Sequence, residues 1–398
     1  MTTDALQRAS CSDQFHTVKM GDTELCVPKR YQQLRAVGKG AQGVVCSAFD
    51  TVTQQHVAIK KLIQPFQNLL FATRAYRELK LMRLVHHKNI IKMYTAFTPQ
   101  RSLNEFQDFY MVMELCDANL ARVIRMDLGH DRLSFLLYQM FCGVRHLHLA
   151  GIIHRDLKPT NIVVTKTCAL KILDFGLARK LSNQFQSQYV ETRFYRAPEI
   201  ILGMPYTEKA DIWSLGCIFA ELILGQIMFC GKDSINQWTK IVEKLGTPTD
   251  GDFLGRLQPY IRNYVEHMQR EHCFQRKPMQ QLVPDDAFPA EWTSDDGTAK
   301  LTAALARDLL SRMLEIDPER RISVEDALKH AYVRLWCEES EVNAPPPDPY
   351  DDTIDETANT TEQWKALTYE ELQQHYPFAH ANGNENSVHV ADDAMNET

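Results

Sequence analysis

His154-Arg155-Asp156-Leu157-Lys158-Pro159-Thr160-Asn161 packs a carboxylate, a cation, a hydroxyl and an amide into eight residues. Pro159 lacks an amide hydrogen and fits poorly inside a helix or central strand, so the segment reads as a loop. The apolar Ile162-Val163-Val164 that follows reads as a short strand. A loop held between packed elements is a suitable place for chemistry. Taken alone, Asp156 beside Lys158 reads equally well as a solvated surface ion pair, so the neighbouring sequence has to decide.

Immediately upstream, apolar residues at 133, 136, 137, 140, 141, 144 and 147 have helical spacing that ends near Ala150-Gly151. Downstream, Leu170-Lys171-Ile172-Leu173 reads as a strand ending at Asp174-Phe175-Gly176, a hairpin-like return that brings in a second carboxylate. Asp and Asn oxygens suit a hard cation such as magnesium, which keeps waters and phosphate oxygens for its other positions.

Further out, Val37-Gly38-Lys39-Gly40-Ala41-Gln42-Gly43-Val44-Val45 carries a G-x-G-x-x-G spacing between β-type stretches that begin near Tyr31. Glycines let backbone amides approach phosphate oxygens. A dinucleotide-binding turn would need a helix opening at the third glycine and an acidic residue about twenty positions on. Here Val44 to Ala48 reads as a returning strand, and the later residue of interest is Lys60, in Val57-Ala58-Ile59-Lys60, with Lys61 on the opposite face. A lone strand lysine is ordinarily solvated. Leu69 to Leu84, however, has helical spacing with Tyr76, Leu79, Met82 and Val85 on one side and Glu78 beside them, which places Glu78 to pair with a lysine in a cleft. Phe109 to Met113 reads as a buried strand, and Glu114 to Asn119 as the connection from a small β-rich lobe to a larger helical one.

The chain of 398 residues is long enough for two or three compact units. Lys plus Arg at 44 against Asp plus Glu at 51 gives a formal charge of −7, which argues against a general nucleic-acid or membrane binder. The ten cysteines are scattered without a C-x-x-C pair, so neither a zinc site nor a disulfide framework is suggested and a reducing intracellular setting fits best. No basic region followed by an apolar run opens the chain, so no secretory signal is read. The apolar window Ile212 to Phe229 contains Glu221 and Gln226 and reads as a buried helix rather than a membrane span. From Asp211 the chain reads as mainly helical to about residue 333, amphipathic near 234–245 and 302–314, with 250 to 297 polar, Pro-containing and less regular. A Pro-rich stretch at Ala344 to Pro349, a helix at Thr361 to Gln374 and an Asn/Asp-rich tail complete it.

Taken together, the glycine loop, Val-Ala-Ile-Lys, His-Arg-Asp with its Asn, Asp-Phe-Gly and Ala197-Pro198-Glu199 resemble the eukaryotic protein kinases in order and spacing. Over about residues 25 to 375 the chain is similar to the stress-activated mitogen-activated protein kinases of the c-Jun N-terminal kinase type. The resemblance implies an α+β, bilobal protein-kinase fold: a flexible lead at 1–24, a kinase domain at 31–333 and an extension at 334–375 packing on it. The domain would divide into an N-lobe at about 25–113, a hinge at 114–119 and a C-lobe at 120–333, with a disordered tail at 376–398. It also implies ATP and Mg²⁺. Lys60 would hold the α- and β-phosphates and pair with Glu78. Asp156 would orient the substrate hydroxyl and accept its proton, Lys158 would neutralise the transferring phosphoryl, Thr160 would tie the loop together, and Asn161 and Asp174 would hold the metal. Gly38, Lys39, Gly40, Ala41, Gln42, Gly43 and Val45 would cover the nucleotide, Met113 would close the adenine pocket, and Glu114, Cys116 and Asn119 would complete it.

The resemblance further implies activation by phosphorylation of Ser187 and Tyr189. Arg74, Arg155 and Arg179 would receive the first phosphate, and Arg193 and Arg196 the second. Ser187-Gln188-Tyr189 has Ser where the family usually has Thr, and Glu191 stands where relatives carry a small or apolar residue beside the pocket for a substrate proline. The resemblance also implies a partner-docking groove for basic peptides, which Arg132 with Glu338, Glu339 and Glu341 match in character, with Asn343 in place of an expected acid. Expected partners are protein substrates such as transcription factors, an upstream dual-specificity kinase and phosphatases, with no direct nucleic acid and no membrane. A monomer in the cytoplasm is expected, with nuclear import left open. The alternatives are a pseudokinase or scaffold, or a kinase without preference for proline.

Overall fold

The structure, a computed structural model, describes residues 14–40, 43–180, 193–342, 345, 350 and 353–376, the side chains of 179, 180, 355 and 356 excepted. Strands β1 (Phe15–Met20) and β2 (Thr23–Pro28) form an antiparallel hairpin. Next come β3 (Tyr31–Gly40), β4 (Gly43–Asp50) and β5 (Gln55–Leu62), helix α1 (Leu69–Leu84), then β6 (Met93–Phe97) and β7 (Phe109–Glu114). The last five strands make one antiparallel sheet in the order β3-β4-β5-β7-β6.

The hairpin corrects the expectation of a flexible lead through residue 24. Phe15, Leu25 and Val27 bury against Phe97 and Tyr110 of the sheet, and the backbone N–H of Cys26 donates to the Tyr110 hydroxyl at 3.0 Å. Apolar residues too sparse to be recognised in the sequence therefore have a ready surface to cover. Residues 1–13 of that expected lead lie outside the described residues.

Helix α1 starts where the Asn68 side chain accepts the Phe71 N–H, and its buried face includes the expected Tyr76, Leu79 and Met82. Past β7 the chain makes the two-residue β8 (Ala118–Asn119) and enters α2 (His130–Leu149), in which every one of the seven expected apolar positions is buried. Strands β9 (Ile152–Ile153), β10 (Ile162–Val164), β11 (Leu170–Ile172) and β12 (Arg179–Lys180) follow, as two small sheets ordered β8-β10-β11 and β9-β12. These pin both ends of the His154–Asn161 loop.

The remaining helices of eight residues or more are α3 (Lys209–Leu224), α4 (Ser234–Leu245), α5 (Pro259–Glu271), α6 (Ala303–Met313) and α7 (Thr361–His375). The apolar window at 212–229 falls on α3 and the turns after it, and α3 is buried along almost its whole length. A Cβ at Gly216 would come within 2.9 Å of the Leu314 side chain, so glycine sets how closely the α6 end packs against α3. No helix among the described residues is long and apolar enough to cross a membrane. Helix α5 lies within the less regular 250–297: Pro259 opens it, while its charged faces leave only Val265 fully buried and mask the period. Finally α7, opened by a Thr360/Gln363 capping box, returns to the first lobe and packs on α1. Trp364 lies 5.2 Å from Tyr76, and Glu371 accepts from Lys80 at 2.8 Å and Arg83 at 2.6 Å. The architecture is a β-sheet lobe joined to a helical lobe, the expected α+β class.

Candidate active site

The strand register places Val45 directly across from both Gly38 and Lys60, so the three belong to one stretch of sheet beneath the β3–β4 turn. Gly38 and Gly40 have open space where a Cβ would stand, and Lys39 beside them is exposed. At Gly43 a Cβ would sit 2.0 Å from the Lys61 carbonyl oxygen, so this glycine is required by the close approach of β5. Ala41 and Gln42 lie outside the described residues.

Lys60 forms an ion pair with Glu78 of α1, and the two side chains are only 13% and 2% exposed. Burial opposes the ammonium, but Glu78 and Asp174 outweigh it and hold Lys60 above its ordinary value. Burial, with Asp174 adding and Lys60 opposing, raises Glu78. Both directions follow from two carboxylates sharing one ammonium in a dry cleft. A further cation there would relieve the crowding of the two carboxylates.

In the loop, Asp156 accepts from Lys158 Nζ at 2.7 Å and from Asn161 Nδ2 at 2.9 Å, both at Oδ2, while Asn161 Nδ2 also reaches the Asp156 carbonyl at 3.0 Å. Burial pushes the Asp156 carboxyl above its ordinary range, and Lys158 opposes that shift. Since Asn161 spends its amide on Asp156, its Oδ1 is the atom left to meet a ligand. The Asn161 carbonyl accepts from Leu173 N at 3.0 Å, which ties the loop to the residue before Asp174. Asp174 has a left-handed backbone, φ 72°, an unusual state for a non-glycine residue. An amide oxygen and a carboxylate side by side are hard donors that fit magnesium. Thr160 is exposed and makes no side-chain hydrogen bond among the described residues, so it is not the tie that the sequence reading expected.

Asp211 takes that part. It is fully buried at the start of α3 and accepts the backbone N–H groups of His154 and Arg155 at 2.9 Å each and His148 Nε2 at 3.0 Å. Burial would raise its carboxyl, but these donors keep it below the ordinary range. Arg155, φ 70°, is held in a left-handed conformation by this grip. Sequence reasoning missed Asp211, whose one signal was a lone acid heading an apolar run. It also missed Arg321, which forms a fully buried two-bond pair with Glu199 at 2.7 and 2.8 Å. That pair anchors the Ala-Pro-Glu end of the segment.

At the edge of the cleft, Met113 is buried at the end of β7. The Glu114 N–H is given to the Lys92 carbonyl at 3.0 Å, which leaves its carbonyl as the group to face a ligand. Cys116 is half-buried, and burial pushes its thiol up to about 11. Asn119 uses Oδ1 to cap the turn at Leu120–Val123.

Arg155 is pulled below its ordinary value by burial, with Arg77 and Arg74 of α1 adding to the effect. Arg196 is lowered by burial, Arg193 and Arg155. Arg74, Arg77 and Arg196 thus all bear on Arg155, the residue before Asp156, with Arg77 an addition to the expected set. Ser187, Tyr189 and Glu191 and the side chain of Arg179 lie outside the described residues. In the docking region Arg132, Glu338 and Glu339 are exposed, whereas Glu341 accepts from the Tyr138 hydroxyl at 3.0 Å and pairs with Lys88. Asn343 lies outside the described residues.

A family model described as "Protein kinase domain" matches residues 31–333. Among curated proteins, the Stress-activated protein kinase JNK of Drosophila melanogaster is 58% identical over 365 residues, 91% of this chain and 96% of that protein. The Stress-activated protein kinase jnk-1 of Caenorhabditis elegans is 60% identical over 361 residues, covering 90% of this chain and 76% of that protein. The Stress-activated protein kinase JNK of Suberites domuncula is 54% identical over 363 residues, 91% and 98% of the two chains.

Proposed function

The chain belongs to the protein kinase family, in its stress-activated JNK group, and is an ATP-dependent serine/threonine kinase of the mitogen-activated class; on that footing we propose how its residues divide the work. The observation that carries the proposal is that Asp174 bears both on the Lys60–Glu78 pair and on Asp156, whose carboxylate holds Lys158 and Asn161. Lys60, fixed by Glu78, binds the α- and β-phosphates of ATP. The Gly38–Gly43 loop covers them, Met113 closes the adenine pocket, and the Glu114 carbonyl and Cys116 N–H meet the adenine edge. Asp156 orients the substrate hydroxyl and takes its proton, and Lys158, already on that carboxylate, offsets charge on the transferring phosphoryl. Asn161 and Asp174 would hold magnesium, which would draw charge from the phosphate oxygens. Positioning and electrostatics of this kind supply most of the rate.

Phosphates on Ser187 and Tyr189 switch the enzyme on. The first is received by Arg74, Arg77, Arg155 and Arg179, the second by Arg193 and Arg196. Glu191 weakens, without abolishing, the preference for proline after the acceptor. Glu338 and Glu339, exposed on the groove, attract basic docking segments of substrates, upstream kinase and phosphatases, and Glu341 adds little because Lys88 already engages it.

Transfer of radiolabel from ATP to a general protein substrate tests the assignment. Asp156→Asn is expected to abolish transfer by the doubly phosphorylated protein; absence of transfer by the unsubstituted, doubly phosphorylated protein would return the chain to the pseudokinase or scaffold reading. A peptide array tests the pocket: Glu191→Val should sharpen selection for proline, and an unchanged array would refute the role given to Glu191.

A further inference from the structure

The short 3₁₀ turn Arg193–Tyr195 stands directly before Arg196, whose N–H donates to the Arg193 carbonyl at 3.1 Å. Asp156 bears on the Arg196 guanidinium, so this turn lies on the side of the catalytic carboxylate. Two sets of contacts fix it from the helical lobe. From α3, Ser214 Oγ donates to the Tyr195 carbonyl at 2.8 Å, and the Tyr195 hydroxyl donates to Glu221 Oε2 at 2.6 Å. From α4 and the loop before it, Arg193 Nη1 donates to the Lys232 carbonyl at 2.8 Å, and Gln237, fully buried, reaches three backbone groups. Its Oε1 accepts the Gly231 N–H at 2.9 Å, and its Nε2 donates to the Phe229 carbonyl at 3.0 Å and to the Phe194 carbonyl at 3.4 Å.

Only a side-chain amide can do this. It accepts once and donates twice without carrying charge, whereas a carboxylate has no hydrogen to give and an apolar side chain would leave buried backbone groups unpaired. The loop is shaped to let the amide in: a Cβ at Gly231 would stand 2.5 Å from the Gln237 backbone and 2.6 Å from Oε1. A residue needed for packing alone would not join the Phe194 carbonyl, 43 positions earlier, to the start of α4. The residues assigned above to the nucleotide are Lys60, the glycine loop and the connection at Met113 to Asn119, so the turn that Gln237 holds lies on the other side of Asp156, toward the protein substrate.

We propose that Gln237 is a positioning residue for the protein substrate: its amide sets the Arg193–Arg196 turn in the place beside which a substrate segment lies when its hydroxyl meets Asp156. The proposal rests on the reading of Asp156 given above.

The test is steady-state kinetics of the full chain as wild type, Gln237→Met and Gly231→Ala, each assayed below its own melting temperature. Phosphotransfer to a general protein substrate is measured beside hydrolysis of ATP without that substrate, which reads the nucleotide site alone. Gln237→Met should raise the KM for the protein substrate about tenfold, with kcat, the KM for ATP and the substrate-free hydrolysis within about twofold of wild type. Gly231→Ala, which pushes the loop off the amide, should move the same KM in the same direction by about threefold. A protein-substrate KM unchanged in Gln237→Met, or an equal loss in the ATP readouts, overturns the proposal, since a merely structural role would depress both. Should Gln237→Met fail to fold, Gln237→Glu, which keeps the acceptor for Gly231 and loses both donations, is expected to show the same split. If neither folds, Gln237 serves stability alone and the proposal is overturned. Transfer retained by Asp156→Asn would sink the reading of Asp156 separately, while the division between the two KM values still decides for or against Gln237.

Discussion

Helix α1 presents two faces that are finished in different ways. Toward α7, Trp364 packs on Tyr76, and the carboxylate of Glu371, only 5% exposed, is shared by Lys80 and Arg83. Toward the cleft, Glu78 meets Lys60, and next to it Arg74 and Arg77 bear on Arg155, which burial and these neighbours hold below its ordinary value. The rear contact is compensated within the chain and reads as structure. The forward contact brings Arg74 and Arg77 to bear on Arg155 beside the catalytic loop, where the activation proposed above would place a phosphate. Comparing the two shows how a helix can be anchored by one side and read out by the other.

The strongest way to break the forward side is Lys60→Met. It leaves Glu78 and Asp174 without their shared ammonium and should lower kcat by roughly 10³-fold with little change in melting temperature, because the raised Glu78 takes up a proton. Turnover within tenfold of wild type would contradict the role of the pair. Behind the helix, Glu371→Gln removes charge from two charge-assisted hydrogen bonds. It should cost about 2 kcal/mol of stability, read by denaturant unfolding, and lower kcat only several-fold. An equal loss of kcat in the two variants would erase the distinction between the faces.

The amount of this that the sequence makes legible follows the physics of each signal. The Leu69–Leu84 helix and the buried stripe of α2 are periodic over several turns, so their bounds come out of spacing alone. Lys60, Asp156, Asn161 and Asp174 are legible as a set because glycine and proline mark the loops that carry them. Asp211, Arg321 and Arg77 are not: each acts through a contact with residues distant in the chain, and nothing local distinguishes it from a solvated charge. The β1–β2 hairpin escaped for a related reason, since its few apolar residues gain meaning only from the sheet they cover.

A smaller effect sharpens the account where α1 meets the second lobe. His87, just past the helix, stacks on His146 of α2 with ring centroids 4.7 Å apart. Burial pushes both down to about 4 from an ordinary value of 6.5, with neighbouring positive charge adding to it. The folded state therefore resists protonation that the unfolded chain accepts. Stability from this pair is complete above pH 6.5 and is lost progressively as pH falls from 6.5 toward about 4. Melting temperatures measured across that range should fall, and His146→Phe should flatten the slope; an unchanged slope would show that the pair does not titrate as described.

The central claim is that the forward face of α1 reads charge placed on the following segment. Its most direct measurement is steady-state phosphotransfer by four preparations of the full chain: unphosphorylated, phosphorylated on Ser187, phosphorylated on Tyr189, and phosphorylated on both. The account predicts a rise of about a hundredfold in kcat/KM for the doubly phosphorylated protein, with each single form between. Equal turnover in all four would contradict it.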